Sequence, residues 1–125
     1  MDQDTFEKGL KIRREVLGAD YVDQAMANAT SFTKPLQELV TTYCWGEIWS
    51  RPGLDRRTRS MINLAMITAL NRPHELKLHV NAALNNGLSK EEICEVLLQT
   101  AIYCGLPAAV DAFRTASQVF EERGI

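Results

Sequence analysis

Residues 89–104, SKEEICEVLLQTAIYC, contain the clearest helix signal in this chain and decide its fold class. Ser89 and Glu92 have the spacing of a capping box, in which each side chain binds the backbone amide of the other residue at a helix start. Apolar or small residues then recur at the spacing of one helical face: Ile93, Val96, Leu97, Thr100, Ala101 and Cys104. The stretch therefore predicts an amphipathic α-helix, which ends at Gly105.

Helical patterns also flank this segment on both sides. Residues 55–70 carry apolar side chains on nearly all sides of a helix, which predicts a centrally buried helix. A further helix is predicted from Pro73 to Gly87. Downstream, Pro107 opens a last helix towards the end of the chain. These elements account for the second half of the chain.

The first half has the same character. Helices are predicted with caps at Thr5 and Asp20, and a third runs from near Thr33 to about Arg51, where Pro52-Gly53 forms a turn between two halves. No stretch alternates apolar and polar residues as a half-buried strand does. The expected fold is therefore an all-α bundle of about seven helices in one domain over residues 1–125.

Composition and charge exclude several classes of function. The formal net charge of −2 over 125 residues argues against a nucleic-acid partner, which normally requires a basic surface. The longest apolar runs, such as residues 64–67, are too short to cross a membrane, and no secretory signal is recognisable at the start. Three cysteines without a Cys-x-x-Cys pair indicate free thiols in a reducing cytoplasm, and no His/Cys spacing indicates a metal site.

The segment Trp45-Gly46-Glu47-Ile48-Trp49-Ser50-Arg51 is the first candidate for a functional site. On a regular helix Trp45 and Trp49 share one face, and Glu47 and Arg51 share nearly the opposite one. A tryptophan pair in a core or interface and a solvated ion pair are the more common explanation of such spacing.

The segment Asp55-Arg56-Arg57-Thr58-Arg59 is the second candidate. Arginines in a first turn oppose the helix dipole, and Arg59 lies where the apolar stretch of its helix begins, so its guanidinium is a candidate anion ligand. Pairing of the arginines with acidic neighbours is the alternative.

His79 and Tyr103 complete the candidates. His79 lies on an apolar stripe with Glu75 one turn earlier. A packed core histidine is the usual explanation of this pattern, and a general acid or base tuned by burial is the chemical one. Tyr103 precedes a tight helix break at Gly105, where it could approach a ligand. A plain helix stop explains that break as well.

Taken together, four strings resemble the carboxymuconolactone decarboxylase family. They are residues 45–59, residues 75–79 with 83–87, residues 89–93 and residues 103–109. The resemblance implies an all-helical subunit in a homo-oligomer, commonly a hexamer, without metal or organic cofactor. It also implies decarboxylation of 4-carboxymuconolactone, a small lactone carboxylate, in the β-ketoadipate route of protocatechuate catabolism.

That reaction suggests a role for each candidate residue. We expect His79 to act as general acid or oxyanion donor and Arg51 and Arg59 to clamp carboxylates, with Glu47 orienting Arg51 or His79 or passing the proton. Trp45, Trp49 and Tyr103 would form pocket walls.

Two other functions remain open at this point. The wider superfamily includes alkylhydroperoxidase D-type proteins, which are similar but use Cys-x-x-Cys followed four residues later by histidine. When that histidine is aligned with His79, Arg72 and Glu75 occupy the thiol positions, which argues against a thiol peroxidase using such a pair. A diverged member that binds a small molecule without turnover is the other alternative.

Overall fold

The structure, a computed structural model, describes all 125 residues and contains no β-strand. Its seven α-helices are α1 (Gln3–Leu17), α2 (Ala19–Ala27), α3 (Lys34–Leu39), α4 (Arg56–Leu70), α5 (Pro73–Asn85), α6 (Lys90–Tyr103) and α7 (Leu106–Arg123). A π-helical segment, Val40–Ile48, continues α3. The predicted all-α architecture of about seven helices is confirmed. The chain divides into two compact units, residues 1–55 and 56–125.

In the first unit, α1 lies backbone to backbone against the π-helical segment. The contact is built on two glycines: a Cβ atom on Gly9 would lie 2.8 Å from the Gly46 nitrogen and collide with the Thr41 carbonyl oxygen. A Cβ on Gly46 would lie 2.5 Å from the Thr5 carbonyl oxygen. Any larger residue at either glycine must therefore push the two helices apart.

The π-helical geometry departs from the regular helix predicted up to about Arg51. The Trp49 amide donates to the Cys44 carbonyl at 3.0 Å, a bond that spans five residues instead of four, and the segment ends at Ile48. Trp45 and Trp49 still meet, with ring centroids 4.7 Å apart and planes tilted by 31°. The shared tryptophan face is confirmed, although the helix type is not the expected one.

Two predicted caps in this unit are wrong. Asp2 caps α1, since its carboxylate accepts the Asp4 amide at 3.3 Å, and Thr5 instead donates its hydroxyl to Asp2 at 2.6 Å. Helix α2 begins after Gly18, which has a φ of 102°, and Asp20 lies within its first turn. In both places the helix begins earlier than the side-chain preferences alone indicate.

The second unit packs α4 to α7 around one apolar core. Leu64 of α4, Val80 of α5, Leu97 of α6 and Val119 of α7 are fully buried there. The predicted capping box is confirmed, because the Ser89 side chain accepts the Glu92 amide at 3.0 Å and Glu92 accepts the Ser89 amide at 2.9 Å.

The expectation that α4 is buried on all sides is wrong. Only one face, made of Ser60, Leu64 and Thr68, is buried, whereas Met66 is 50% and Leu70 65% exposed. A stripe with two hydroxyl residues therefore faces the core, and part of the apolar surface of α4 faces outward. Periodicity alone does not identify the buried side of a helix that is apolar nearly all round.

Candidate functional site

His79 is the most buried of the candidate site residues in the second unit, at 9% exposed. Helix α5 holds it between the buried Leu76 and Val80, and its Nδ1 atom lies 3.5 Å from the amide nitrogen of Asn63 on α4. Burial lowers the pKa of His79 below the ordinary 6.5, and the charge of Glu75 acts in the opposite direction. Burial therefore favours the neutral imidazole over the imidazolium.

Arg59 and Glu75 are the charged residues that lie one helical turn before Asn63 and His79 on their two helices. Arg59 is half-buried and lies one helical turn before Asn63, so the two side chains leave the same face of α4. Glu75, one turn before His79 on α5, is exposed. The arrangement places a buried imidazole and a half-buried guanidinium on two helices that pack against each other.

Arg57 has a structural role. Its guanidinium donates to the carbonyl of Gly87 and pairs with the carboxylate of Glu92. The pKa of Glu92 is lowered first by the Ser89 backbone amide and then by Arg57. For this arginine the alternative of an acidic neighbour is correct, and the contact ties the start of α4 to the loop between α5 and α6.

The candidate residues of the first unit fall into two environments. Trp45 and Trp49 are buried at 3% and 6% exposed, as expected of a packed pair. Glu47 is exposed on the π-helical segment, and Arg51 is exposed beyond its end. Their proposed roles at a catalytic site stay predictions.

Tyr103 lies at a different place in the second unit from His79. It is 82% exposed and lines a groove of about 360 Å³ between α4 and α6, together with Met61, Ile62 and Cys104. Neither His79 nor Asn63 lines this groove. Within this unit the structure therefore brings Asn63 to His79, and not Tyr103.

Two residues with unusual environments were missed by the sequence analysis. Asn63 is a polar residue within an apolar helix, four residues after Arg59, and that position was its only signal. Arg13 is 5% exposed in the first unit and donates to the neutral acceptors Gln37, at 2.9 Å, and Thr41, at 3.1 Å. A charged residue on the apolar face of α1 was the signal for Arg13.

The structure shows neither a group of metal-binding side chains nor a membrane-spanning helix. No three His, Cys, Asp or Glu side chains come together as a possible metal-binding group. No helix combines the length and the apolar character that crossing a bilayer requires.

Comparison with known proteins defines the class first. The model of the carboxymuconolactone decarboxylase family matches residues 34–118, which include the π-helical segment, Asn63 and His79. The chain belongs to the carboxymuconolactone decarboxylase family.

Three particular relatives narrow the comparison. The chain is 41% identical over 124 residues to 4-carboxymuconolactone decarboxylase of Acinetobacter baylyi, covering 99% of this chain and 92% of that protein. It is 48% identical over 107 residues to nitrosuccinic acid decarboxylase npaB of Metarhizium robertsii, covering 86% and 75%. An uncharacterized 15.0 kDa protein of Paracoccus denitrificans is 37% identical over 81 residues, covering 62% and 60%.

Proposed function

We propose that this protein is a decarboxylase that converts 4-carboxymuconolactone to the enol-lactone of 3-oxoadipate in protocatechuate catabolism. The observation that carries the proposal is the 41% identity to a protein of that name along nearly the full length of both chains. The buried His79 beside Asn63 supports it, because a neutral imidazole can donate a hydrogen bond to the oxygen that becomes negative in this reaction.

In this reaction the lactone carbonyl of the substrate itself accepts the electron pair of the bond that breaks. The leaving carboxylate is attached to a ring carbon that is conjugated through the double bond to the lactone carbonyl. When the bond to CO2 breaks, its electron pair moves onto that carbonyl oxygen, and a proton then adds to carbon. The protein must anchor the remaining carboxylate, stabilise the new oxyanion and deliver the proton.

The second unit offers a residue for each of the first two tasks. His79 donates a hydrogen bond to the developing oxyanion, and Arg59 binds the carboxylate that remains, since a guanidinium can hold a carboxylate through two hydrogen bonds. Arg51 is proposed as a second carboxylate clamp and Glu47 as the orienting or proton-passing group. Trp45 and Trp49 are proposed as apolar walls, and Tyr103 is proposed as a wall of the groove between α4 and α6.

Nitrosuccinate is the second candidate substrate, favoured by the 48% identity to a nitrosuccinic acid decarboxylase. Its departing carboxylate is on the carbon that bears the nitro group, so the electron pair moves onto nitro oxygens and gives a nitronate. Both substrates carry a CH2-COO⁻ arm on the carbon that loses CO2. The same clamp and oxyanion donor therefore serve both reactions.

A direct assay of both substrates tests the function. We expect kcat/KM for the lactone to exceed that for nitrosuccinate by about 10- to 100-fold, because the open-chain acid lacks the apolar ring that the proposed walls cover. Release of CO2 is measured for each substrate with the same preparation, and a sample without protein is the control. Faster turnover of nitrosuccinate would reverse the assignment, and turnover of neither would contradict a decarboxylase of this class.

The thiol chemistry of the chain gives little support to the peroxidase alternative. All three cysteines are free, and removal of the Cys44 sulfur from water raises the pKa of that thiol, although Arg13 acts in the opposite direction. A raised pKa reduces the thiolate population that attacks peroxides.

We also propose that the protein assembles into a homohexamer in the cytoplasm. Ile102 and Leu106 of the second unit are 80% and 67% exposed, and Leu106 with Val110 lines a groove of about 630 Å³ between α6 and α7. Clustered apolar side chains of this kind mark contact surfaces.

Inserting a charge into this surface is expected to break the assembly. Ile102→Glu places a carboxylate in the contact that a partner subunit would bury, which costs several kcal/mol per subunit pair. Light scattering at micromolar concentration should give a multiple of 14.1 kDa for the parent protein and a smaller mass for the variant. Gln24→Glu on the exposed surface of α2 is the control that should keep the parent mass. A parent protein of 14.1 kDa would contradict the proposal.

A further inference from the structure

The contact between Asn63 and His79 favours one of the two neutral forms of the imidazole ring. The side-chain nitrogen of Asn63 is a donor only, and it lies 3.5 Å from His79 Nδ1. For this contact to be a hydrogen bond, Nδ1 must be the acceptor. In a neutral imidazole the proton is then on Nε2.

The position of Asn63 is set by bonds at the start of α4. The Asn86 amide at the end of α5 donates to the Ser60 hydroxyl at 2.9 Å, and Arg57 holds the carbonyl of Gly87. These contacts tie α4 to the C-terminal end of α5, one turn from Asn63. The side-chain amide of Asn63 therefore contacts the imidazole from a helix that is held against α5 by hydrogen bonds.

Besides the contact with Asn63, the charge of Glu75 acts on the His79 ring. Glu75 on α5 is exposed, and Arg59 on α4 lies one turn before Asn63. On the other neighbouring helices, Glu92 of α6 pairs with Arg57, Glu122 of α7 pairs with Lys77, and Arg123 of α7 donates to Asn81 and Asn85. Lys77 and Asn81 lie on the face of α5 opposite His79.

We propose that Asn63 is a positioning residue that holds His79 in the Nε2–H tautomer, so that the ring offers a neutral hydrogen-bond donor to the substrate oxygen that becomes negative. This inference rests on the proposed decarboxylase function for its catalytic part. The tautomer itself is a property of the resting protein. His79 accordingly stabilises charge in the transition state without transferring its own proton.

The Asn63→Asp variant tests the proposal with almost no change in size. A carboxylate is an acceptor only, so it binds a proton on Nδ1, reverses the tautomer and stabilises the imidazolium. We expect kcat to fall about 10- to 100-fold with little change in KM, the range seen when an orienting partner of a histidine is lost. Asn81→Asp is the matched control, because it adds the same charge to the opposite face of α5 and keeps an acceptor for Arg123.

Two readouts separate this role from simple packing. Nitrogen NMR of the resting protein should find His79 protonated at Nε2, and at Nδ1 in Asn63→Asp. The parent kcat should not fall as the pH rises from about 6.5 to about 8, since burial favours the neutral donor, whereas a charged acid would lose activity over that range. In Asn63→Asp the titration of His79 should move to higher pH.

The outcomes are distinguishable from those of the proposed function. A resting ring protonated at Nδ1 would overturn the assignment of Asn63 whatever the activity. A reversed tautomer with unchanged kcat would overturn the catalytic part. Failure of the parent protein to release CO2 from either substrate would contradict the proposed function, and the NMR result would still decide the tautomer.

Discussion

Replacing His79 with asparagine is expected to lower kcat for decarboxylation about 10²- to 10³-fold, the loss typical of a missing oxyanion donor. The asparagine side chain retains a polar atom near the position of Nδ1, where it can meet Asn63, but it has no atom near the position of Nε2. KM should change less than kcat, because the missing bond forms mainly in the transition state.

His79→Gln refines this test. The glutamine amide reaches approximately the position of Nε2 and is itself a donor, so it should recover part of the kcat lost in His79→Asn. An equal loss in both variants would contradict the role of a neutral donor. Near-parent kcat per folded subunit in His79→Asn would remove His79 from the mechanism.

Arg59→Ala is expected to change KM, in contrast to His79→Asn, which is expected to change kcat. A clamp on the carboxylate that remains acts in the ground state and in the transition state, so its loss should raise KM and leave kcat comparatively unchanged. Steady-state kinetics of the two variants in parallel distinguish binding from charge stabilisation. The same pattern in both would argue against separate roles.

Stability measurements on His79→Asn separate catalysis from packing. Because burial lowers the pKa of His79 in the folded protein below 6.5, the unfolded chain binds a proton more readily as the pH falls through that value. Acidification below about pH 6.5 therefore destabilises the parent protein, and the variant should lose this contribution. Melting temperatures between about pH 5 and about pH 7 measure it.

Substituting alanine for Gly9 is expected to destabilise the first unit by about 3 kcal/mol or more. The added methyl group would meet the Thr41 carbonyl oxygen and the nitrogen of Gly46, both of which are backbone atoms that cannot rotate away. Helix α1 and the π-helical segment would have to separate. A fall in Tm of about 10 °C, or insoluble protein, is the expected result.

Gly53→Ala is the matched control for this substitution. A Cβ atom at Gly53 has no neighbour within 4 Å, and this residue is not among the glycines with positive φ. Its melting temperature should lie close to that of the parent. A soluble Gly9→Ala protein with the same Tm as Gly53→Ala would contradict the close helix contact.

The sequence by itself determined the features that depend on near neighbours along the chain. Ser89 and Glu92 are three residues apart, so their capping box and the helix after it follow from local geometry alone. The all-helical class follows from the same local periods. His79 was also identifiable as a candidate site residue, because an ionisable ring on an apolar stripe is unusual whichever helix the stripe packs against.

Only the tertiary structure decided which surfaces and side chains meet. The buried face of α4, the π-helical turn beside Gly9 and the pairing of Arg57 with Glu92 depend on how separate helices pack. Asn63 and His79 are 16 residues apart, on two helices, and their contact requires a particular rotation of each helix about its axis. Local periodicity predicts that a helix forms, whereas its rotation is set by the neighbouring helices. For this reason the sequence identified His79 as a candidate site residue but did not identify Asn63 as its partner.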